Sequence, residues 1–342
     1  IGVLLAVEPW NFPIYQLIRV VAPAIAVGNP VLYKHAGIVP RCAARFAELV
    51  REAGAPEGFV ANLYISSDKV AELIGDDRIQ GVALTGSEGA GAKVSARASE
   101  MLKKSTLELG GSDVFVVLDD ADIEKAVAAG VEGRLSNAGQ VCTGSKRFIV
   151  QKSVSDAFIT GYVEGMKTAV MGDPLDEATD LGPLSSEDAL KTLTKQVEEA
   201  IQHGAKALTG GKPADRTGFF YEPTVLTDVA RDNPAFYQEF FGPVAQVFVV
   251  EDDDAVVALA NDSHFGLGGS IFSGDTDRAR KLASRIETGM VFINTTTTSM
   301  PELPFGGVKG SGFGRFGGKA GVAEFTELRW ITIQTTPRHY PF

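Results

Sequence analysis

The chain has 342 residues, of which 44% are hydrophobic and 22% charged, a composition that excludes a disordered protein and allows about two domains of ordinary size. The formal net charge is −11 and no long basic cluster is present, so nucleic acid is not an expected partner. No apolar run reaches the length of a membrane span, and the only two cysteines, Cys42 and Cys142, make no disulfide framework, which favours a reducing, cytoplasmic location.

The first residues already follow a strand pattern, with neither an initiator methionine nor a polar lead-in, which predicts that an N-terminal part is missing. Up to about residue 111, helical stretches such as 40–53 alternate with apolar strands. The predicted strands are 1–7, 31–33, 59–64 and 82–84. This alternation favours a parallel, doubly wound sheet, the usual scaffold for a nucleotide cofactor.

The second half is again α/β. Strands are predicted at 114–118, 244–250, 268–272 and 290–293. A helix capped by Asp120 or Asp122 is predicted to run through Leu135, and further helices are predicted at 153–170, 252–261 and 275–287. The tail, 325–334, alternates enough to be a further strand.

A small, polar segment at residues 137–142 delivers a single thiol, Cys142, just before the apolar run 147–150. A cysteine nucleophile needs an exposed approach, and nearby backbone N–H groups lower its pKa and bind an oxyanion. The glycine before the thiol and the small residues after it leave room for a ligand. On this segment alone, a buried and inert cysteine is the commoner alternative.

Two loops next to predicted strands offer ligand groups. Two prolines and two aromatic residues over 9–13 form a stiff loop around the Asn11 amide, a good oxyanion donor, although a plain turn also fits. The glycine-rich turn 84–91 leads into a helix whose free N–H groups suit a pyrophosphate, but a tight connection explains it equally well. Lys34, at the end of the second strand, is either a ribose ligand or an ordinary exposed lysine.

Two carboxylates stand near glycines. Glu108 lies in an apolar strand that ends in two glycines, where a raised pKa would suit a general base; a structural ion pair is the alternative. Glu239 is either a ribose ligand or a surface acid. The four histidines lack metal-ligand spacing, so no metal site is predicted.

Taken together and in this order, these motifs resemble the aldehyde dehydrogenase superfamily over nearly the whole chain. The matching segments are 9–13, Lys34, 85–87, 108–111, 139–142, 239–243, Asn294 and 304–312. The resemblance implies that Cys142 attacks the aldehyde carbon and that the Asn11 amide and the Cys142 backbone N–H hold the oxyanion. After hydride transfer to the nicotinamide, it implies that Glu108 activates the water that releases the acid.

The same resemblance implies NAD or NADP as the cofactor, with Lys34 and Glu239 on its two riboses. Gly37 stands where strictly NAD-using relatives have a glutamate, so no carboxylate repels a 2′-phosphate and NADP should be tolerated. The other residues implied to bind the cofactor are Trp10, Thr85, Gly86, Ser87, Leu109, Gly110 and Phe241.

Within the superfamily the chain is most similar to the succinate-semialdehyde dehydrogenase branch. Arg19 would pair with the substrate carboxylate. The second arginine of that branch, six residues before the cysteine, is Ser136 here, and Arg134 is its candidate replacement. The alternatives are an enzyme for an uncharged aldehyde, a CoA-acylating relative, against which Glu108 argues, and a non-catalytic structural or binding relative.

The resemblance divides the chain into three regions. Residues 1–111 are a doubly wound, Rossmann-like cofactor domain that lacks its first part, 112–310 an α/β catalytic domain, and 311–342 a C-terminal return. The predicted tail strand at 325–334 would join a neighbouring subunit, which implies a homodimer or homotetramer. Phe316 stands where the family has a glutamate, which argues against a proton relay at that position.

Overall fold

The computed structural model describes residues 1–339. Its first half contains strands β1 (Val3–Glu8), β2 (Val31–His35), β3 (Val60–Asn62), β4 (Ile79–Thr85) and β5 (Lys104–Glu108), and helices α1 (Pro13–Ala26), α2 (Pro40–Glu52), α3 (Lys69–Ile74) and α4 (Glu88–Glu100). The five strands are parallel and lie in the order β5-β4-β1-β2-β3. Every strand therefore directs its carboxyl end to the same edge of the sheet.

Helices cover both faces of this first sheet, as its apolar strands require. The side chains of Leu4 and Ala6 belong to a core with α1 and α2. The intervening Leu5 packs on the opposite face, with α3 and α4. Pro13 begins α1, where its missing N–H costs no hydrogen bond.

The second half contains β6 (Asp113–Val117), α5 (Ile123–Leu135), β7 (Ser145–Gln151), α6 (Lys152–Thr168), α7 (Glu187–Gln202), β8 (Lys206–Thr209), β9 (Thr224–Thr227), β10 (Val244–Val250), α8 (Asp253–Asn261), β11 (Phe265–Gly266), β12 (Gly269–Phe272), α9 (Thr276–Ala283), β13 (Phe292–Ile293), β14 (Val308–Lys309), β15 (Gly312–Phe313) and α10 (Gly318–Glu324). A second sheet has the order β13-β12-β6-β7-β10-β9-β8. β15 returns to the first sheet and pairs antiparallel with β5. No helix within residues 1–339 is long and apolar enough to cross a membrane.

The predicted α/β class with a doubly wound first sheet is confirmed. The predicted strand at 325–334 is not formed within the single chain: α10 ends at Glu324, Phe325 is buried, and residues 327–339 are exposed without strand structure. As a strand that pairs with a neighbouring subunit it stays a prediction. A strand needs a hydrogen-bonded neighbour, and this single chain pairs none with the tail. The division at 111 and 310 stays a prediction, and residues 340–342 of its last region lie outside the described residues.

Candidate active site

The predicted nucleophile follows a left-handed turn between α5 and β7. Asn137, Ala138 and Gly139 have φ angles of 48°, 54° and 74°. Arg134, the fully buried residue near the end of α5, donates hydrogen bonds to the carbonyl oxygens of Gly139 and, at 2.9 Å, of Ser145. Because one guanidinium binds both ends of the segment, the backbone around the thiol has a fixed path.

Cys142 itself is half-buried, and a buried lysine lies behind it. The Lys146 ammonium donates to the carbonyl oxygens of Val141 and Cys142, both at 2.8 Å, and forms an ion pair of 3.1 Å with Glu239. Burial raises the pKa of the Cys142 thiol to about 12, although Lys146 and Arg19 act in the opposite direction. The expectation of a lowered thiol pKa is therefore wrong for this structure, because desolvation outweighs the nearby positive charges.

The Asn11 amide reaches the same segment from the other sheet. Its Nδ2 donates to the carbonyl oxygen of Gln140 at 3.0 Å, and its Oδ1 accepts from Gln16 at 3.1 Å. These two bonds fix which side of the amide is the donor side. The structure thus brings Asn11 next to the thiol segment, in an orientation that suits an oxyanion donor.

Glu108 ends β5, with a side chain that is only 1% exposed. Its carboxyl oxygens have no hydrogen-bond partner among the described residues. Burial raises the pKa of Glu108 to about 7, while Arg19 and Arg315 favour its charged form. A carboxyl with this pKa is ionised in a large fraction of molecules near neutral pH and suits proton transfer.

A cavity of about 300 Å³ opens beside the thiol. It is lined by Pro9, Trp10, Asn11, Gln16, Thr85, Gly86, Ser87, Leu109, Gly110, Cys142, Glu239 and Phe241. The rings of Trp10 and Phe241 meet edge to face, with their centroids 5.9 Å apart. Apart from Lys34, Arg19 and Ser136, and from the interior Glu108, this one cavity gathers the residues predicted for the site.

A second cavity, of about 620 Å³, continues from Ser87 between α3 and α4. Ser87 caps α4, and its Oγ accepts from the Ala90 N–H at 3.3 Å. A Cβ at Gly110 would lie 2.5 Å from a Glu239 oxygen, so a larger residue here would require the Glu239 side chain to move. Two cavities that share a helix N-terminus fit a dinucleotide, with the pyrophosphate at Ser87.

Glu239 and Lys34, the residues predicted to bind the two riboses of the cofactor, differ in their positions relative to these cavities. The Glu239 carboxylate faces the thiol cavity but binds Lys146 and accepts from the Gly111 N–H at 3.1 Å. Lys34 is half-buried near the end of β2 and lines neither of the two cavities.

A third cavity, of about 400 Å³, surrounds the predicted substrate residue Arg19. Its lining includes Tyr15, Arg19, Ser299, Met300, Phe305 and Phe316. The guanidinium carbon lies 4.7 Å from the centroid of the Phe316 ring, and Nη2 donates to the Thr85 hydroxyl at 2.7 Å. Weak hydration suits guanidinium to such aromatic surroundings.

The other two residues considered for the substrate do not line this cavity. Ser136 is exposed and lines a separate cavity beside α5 and α6. Arg134 is occupied with backbone carbonyls, so it does not replace the arginine that is missing at position 136.

Two site residues were not predicted from the sequence. Lys146 is a fully buried lysine at the start of a strand, and Glu8 is a carboxylate that is 2% exposed at the end of one. The signal that singled out Glu108, an acid closing an apolar strand, applies equally to Glu8.

Comparison with known proteins gives a consistent result. The sequence pattern of the Aldehyde dehydrogenase family matches residues 1–331. The succinate-semialdehyde dehydrogenase (NADP(+)) of Deinococcus radiodurans is 48% identical over 331 residues, which cover 97% of this chain and 69% of that protein. A probable succinate-semialdehyde dehydrogenase (NADP(+)) of Synechocystis is 47% identical over 333 residues, covering 97% and 73%.

Among solved structures, the succinic semialdehyde dehydrogenase of Streptococcus pyogenes, in complex with NADP+, is similar with a TM-score of 0.96. It is 50% identical in sequence, and the match covers 97% of this chain and 73% of that one.

Proposed function

The chain belongs to the aldehyde dehydrogenase family, and from this premise we propose that it oxidises succinate semialdehyde to succinate. The NAD(P)-dependent oxidation of an aldehyde is its class of reaction. One observation supports the particular substrate: Arg19 lines a cavity of about 400 Å³ and lies within electrostatic reach of the Cys142 thiol. Succinate semialdehyde needs both groups, because the thiol would attack its aldehyde carbon at one end and the guanidinium would bind its carboxylate at the other.

The Cys142 sulfur would attack the aldehyde carbon and give a thiohemiacetal. With a pKa of about 12, the thiol is not a preformed thiolate, and its proton would pass to solvent water as the sulfur attacks. The free Nδ2 hydrogen of Asn11 and the Cys142 backbone N–H would stabilise the negative oxygen. A bound nicotinamide would supply the acceptor for the hydride that leaves this carbon. Glu108 would then take a proton from the water that attacks the Cys142 thioester, releasing the acid and restoring the thiol.

The cofactor would lie in the two cavities that meet at Ser87. Trp10 and Phe241 would flank it near the thiol, and Glu239 would turn from Lys146 to a ribose. We assign Lys34 to the second ribose on the family resemblance. NADP is the cofactor named for the Deinococcus relative, and the uncharged Gly37 permits a 2′-phosphate here.

The predicted homodimer or homotetramer is part of the proposal. Four apolar side chains of the tail are each at least 68% exposed, namely Leu328, Trp330, Ile331 and Ile333. Such a run suits burial against another subunit, where it would also find the strand partner that one chain lacks. A cytoplasmic location is proposed because a thiol nucleophile needs a reducing compartment.

The decisive experiment measures NADPH formation by absorbance with succinate semialdehyde and with butanal, which has the same length but no carboxylate. Cys142→Ala should lower kcat by about 10³-fold or more with both aldehydes, because the covalent intermediate is lost. Arg19→Met should raise KM about tenfold or more for succinate semialdehyde and change it little for butanal.

Cys42→Ala is the matched control, since Cys42 is a half-buried thiol on α2 outside all three cavities. It should keep full activity. Turnover that survives in Cys142→Ala would refute the thiol mechanism, whereas equal KM changes for both aldehydes in Arg19→Met would refute the substrate assignment.

A further inference from the structure

A row of polar side chains crosses the carboxyl edge of the first sheet beneath α1. Thr85 is in register with Glu108 of β5, and Glu8 of β1 is in register with His35 of β2. Because Val7 pairs with Leu84, the next residues, Glu8 and Thr85, are neighbours too. In-register residues of parallel strands point to one face, and here it is the face that Leu4 and Ala6 present to α1.

Arg19 of α1 lies over the middle of this row. Its Nη2 donates to the Thr85 hydroxyl at 2.7 Å, and Thr85 stands between the two glutamates. Within residues 1–339, neither glutamate has an ion-pair partner closer than 4.0 Å, and their four carboxyl oxygens accept no hydrogen bond of ordinary geometry. The Thr85 hydroxyl favours the charged form of Glu8, and the Gly307 N–H favours that of Glu108. Arg19 is thus the charge that most favours the ionised form of both deeply buried acids, and Arg315 adds to it at Glu108.

The same guanidinium lines the cavity of about 400 Å³ on its other side. A substrate carboxylate entering that cavity would be a third acid competing for Arg19. The number of negative charges already in the row therefore decides how strongly Arg19 attracts it.

We propose that Glu8 sets the preference for acidic aldehydes. When Glu8 is protonated, Arg19 is free to bind the substrate carboxylate. When Glu8 is ionised, its charge neutralises Arg19 from the side opposite the cavity. Glu8 touches neither substrate nor reacting atoms and acts through Arg19, as a positioning residue. The inference rests on the proposed function, because it needs a substrate carboxylate at Arg19.

The groups around Glu8 agree with this role. Burial raises the pKa of Glu8 to about 8, against Arg19 and the Thr85 hydroxyl, and Glu108 acts in the same direction as burial. His35, on the other side, has its Nδ1 accepting from the Ala36 N–H at 2.8 Å and its Nε2 at 2.9 Å from the Pro13 carbonyl oxygen. Since burial lowers the pKa of His35, that ring stays neutral while Glu8 titrates.

Arg19 faces three further titratable groups. They are Glu108, the Cys142 thiol and the Tyr15 phenol, whose ring centroid lies 5.8 Å from the guanidinium carbon. Cys142 and Glu108 serve every aldehyde alike. A comparison of two aldehydes in the same protein therefore cancels their catalytic roles and leaves the effect of charge at Arg19, to which Glu108 contributes near pH 7 and Glu8 near pH 8.

The test measures kcat/KM for succinate semialdehyde and for butanal from about pH 6.5 to about pH 9.5, at constant ionic strength. The substrate carboxyl, with an ordinary pKa of about 4, stays ionised throughout. In the wild type, kcat/KM for succinate semialdehyde divided by kcat/KM for butanal should fall about tenfold, with a midpoint near pH 8 where Glu8 ionises. A tenfold change is expected because a nearby opposite charge shifts a pKa by about one to three units, and one unit corresponds to a factor of ten.

Glu8→Gln keeps the shape of the side chain and cannot ionise, so its ratio should lack the fall near pH 8 and keep only the change near pH 7 that ionisation of Glu108 causes. Glu48→Gln, at an exposed site on α2, is the control and should follow the wild type. Thermal unfolding of both variants checks that they fold. If Glu8→Gln does not fold, the wild-type profile still decides, since a ratio without a titration overturns the role of Glu8.

Failure of this inference differs from failure of the proposed function. A ratio well above one that does not change with pH, or a Glu8→Gln ratio that titrates like the wild type, overturns Glu8 alone. A ratio near one at every pH overturns the assignment of Arg19, and this inference with it. Absence of turnover with both aldehydes overturns the proposed function as a whole.

Discussion

Glu108 and Cys142 are desolvated in the same region, with opposite consequences for their charge. Burial favours the neutral form of both, but the carboxyl starts from a pKa of 4.5 and the thiol from 9.0. Near neutral pH, Glu108 is ionised in many molecules whereas Cys142 stays a thiol. Of the two groups, only Glu108 can therefore accept a proton from the hydrolytic water near neutral pH.

This argument predicts a separation of the two half-reactions in Glu108→Gln. The amide has the size of the carboxyl but cannot accept a proton, so hydrolysis of the thioester should slow by about 10² to 10⁴-fold. Stopped-flow absorbance should show a burst of close to one NADPH per active site, followed by a slow steady rate.

In the wild type, the steady rate limited by hydrolysis should rise with pH and level off above about pH 7, where Glu108 is ionised. A variant whose steady rate equals that of the wild type would show that another group activates the water.

The role of a residue could be predicted from the sequence only where that residue belongs to a short motif. Cys142, Asn11 and Glu108 stand in local sequence patterns, and the structure brings the first two to one cavity and the third into the interior nearby. Lys146 and Glu8 have no such pattern. Their importance comes from burial beside partners far away in sequence, such as Glu239 for Lys146, and only the folded chain reveals it.

The segment between α5 and β7 decides where the thiol stands. Three successive residues have positive φ, a conformation that costs a non-glycine residue about 1 kcal/mol or more. Gly139, the third of them, approaches the backbone of Gly242, and a Cβ there would overlap the Gly242 carbonyl. Buried Arg134 holds this strained turn against the start of β7.

Gly139→Ala should therefore lower both stability and kcat, because the turn must move away from Gly242 and Cys142 moves with it. A displacement of about 1 Å at the reacting group is expected to lower kcat by about 10²-fold. Steady-state kinetics and thermal unfolding of the same preparation measure the two effects.

Gly54→Ala is the matched control. Gly54 also has a positive φ, of 95°, but a Cβ there meets nothing within 4 Å. It should cost stability alone, by about 1 kcal/mol, with kcat unchanged. Full activity in Gly139→Ala would mean that the contact with Gly242 does not position the thiol.

Prediction of the elements succeeded where burial in the core enforces them. The predicted strand 244–250 coincides with β10, and the helix predicted to run through Leu135 from a cap at Asp120 or Asp122 is α5, which Asp122 caps, because both elements belong to the core. The tail 325–334 has the same alternation but no neighbouring strand. Periodicity shows that a segment can be a strand, and pairing decides whether it is one.

At the scale of the whole molecule, the two sheets enclose three acids without enough positive charge to keep them ionised. Burial raises the pKa of Glu8 to about 8 and those of Glu108 and Asp113 to about 7. The unfolded chain would release these protons near the ordinary carboxyl pKa of about 4. Between these values the folded state binds more protons than the unfolded state, so its free energy of unfolding must fall as the pH rises.

We therefore expect the protein to be less stable at about pH 8.5 than at about pH 6.5, by on the order of 3 kcal/mol, with the loss complete once Glu8 is ionised. Paired surface acids such as Asp253, whose pKa is lowered by Arg278, act only below about pH 4 and do not oppose this trend.

Urea unfolding midpoints at the two pH values measure this loss of stability. Glu8→Gln should remove the largest share of the dependence, since Glu8 has the widest gap between its folded and unfolded pKa values. A midpoint that is constant or rises with pH would show that water or a counter-charge reaches these carboxylates.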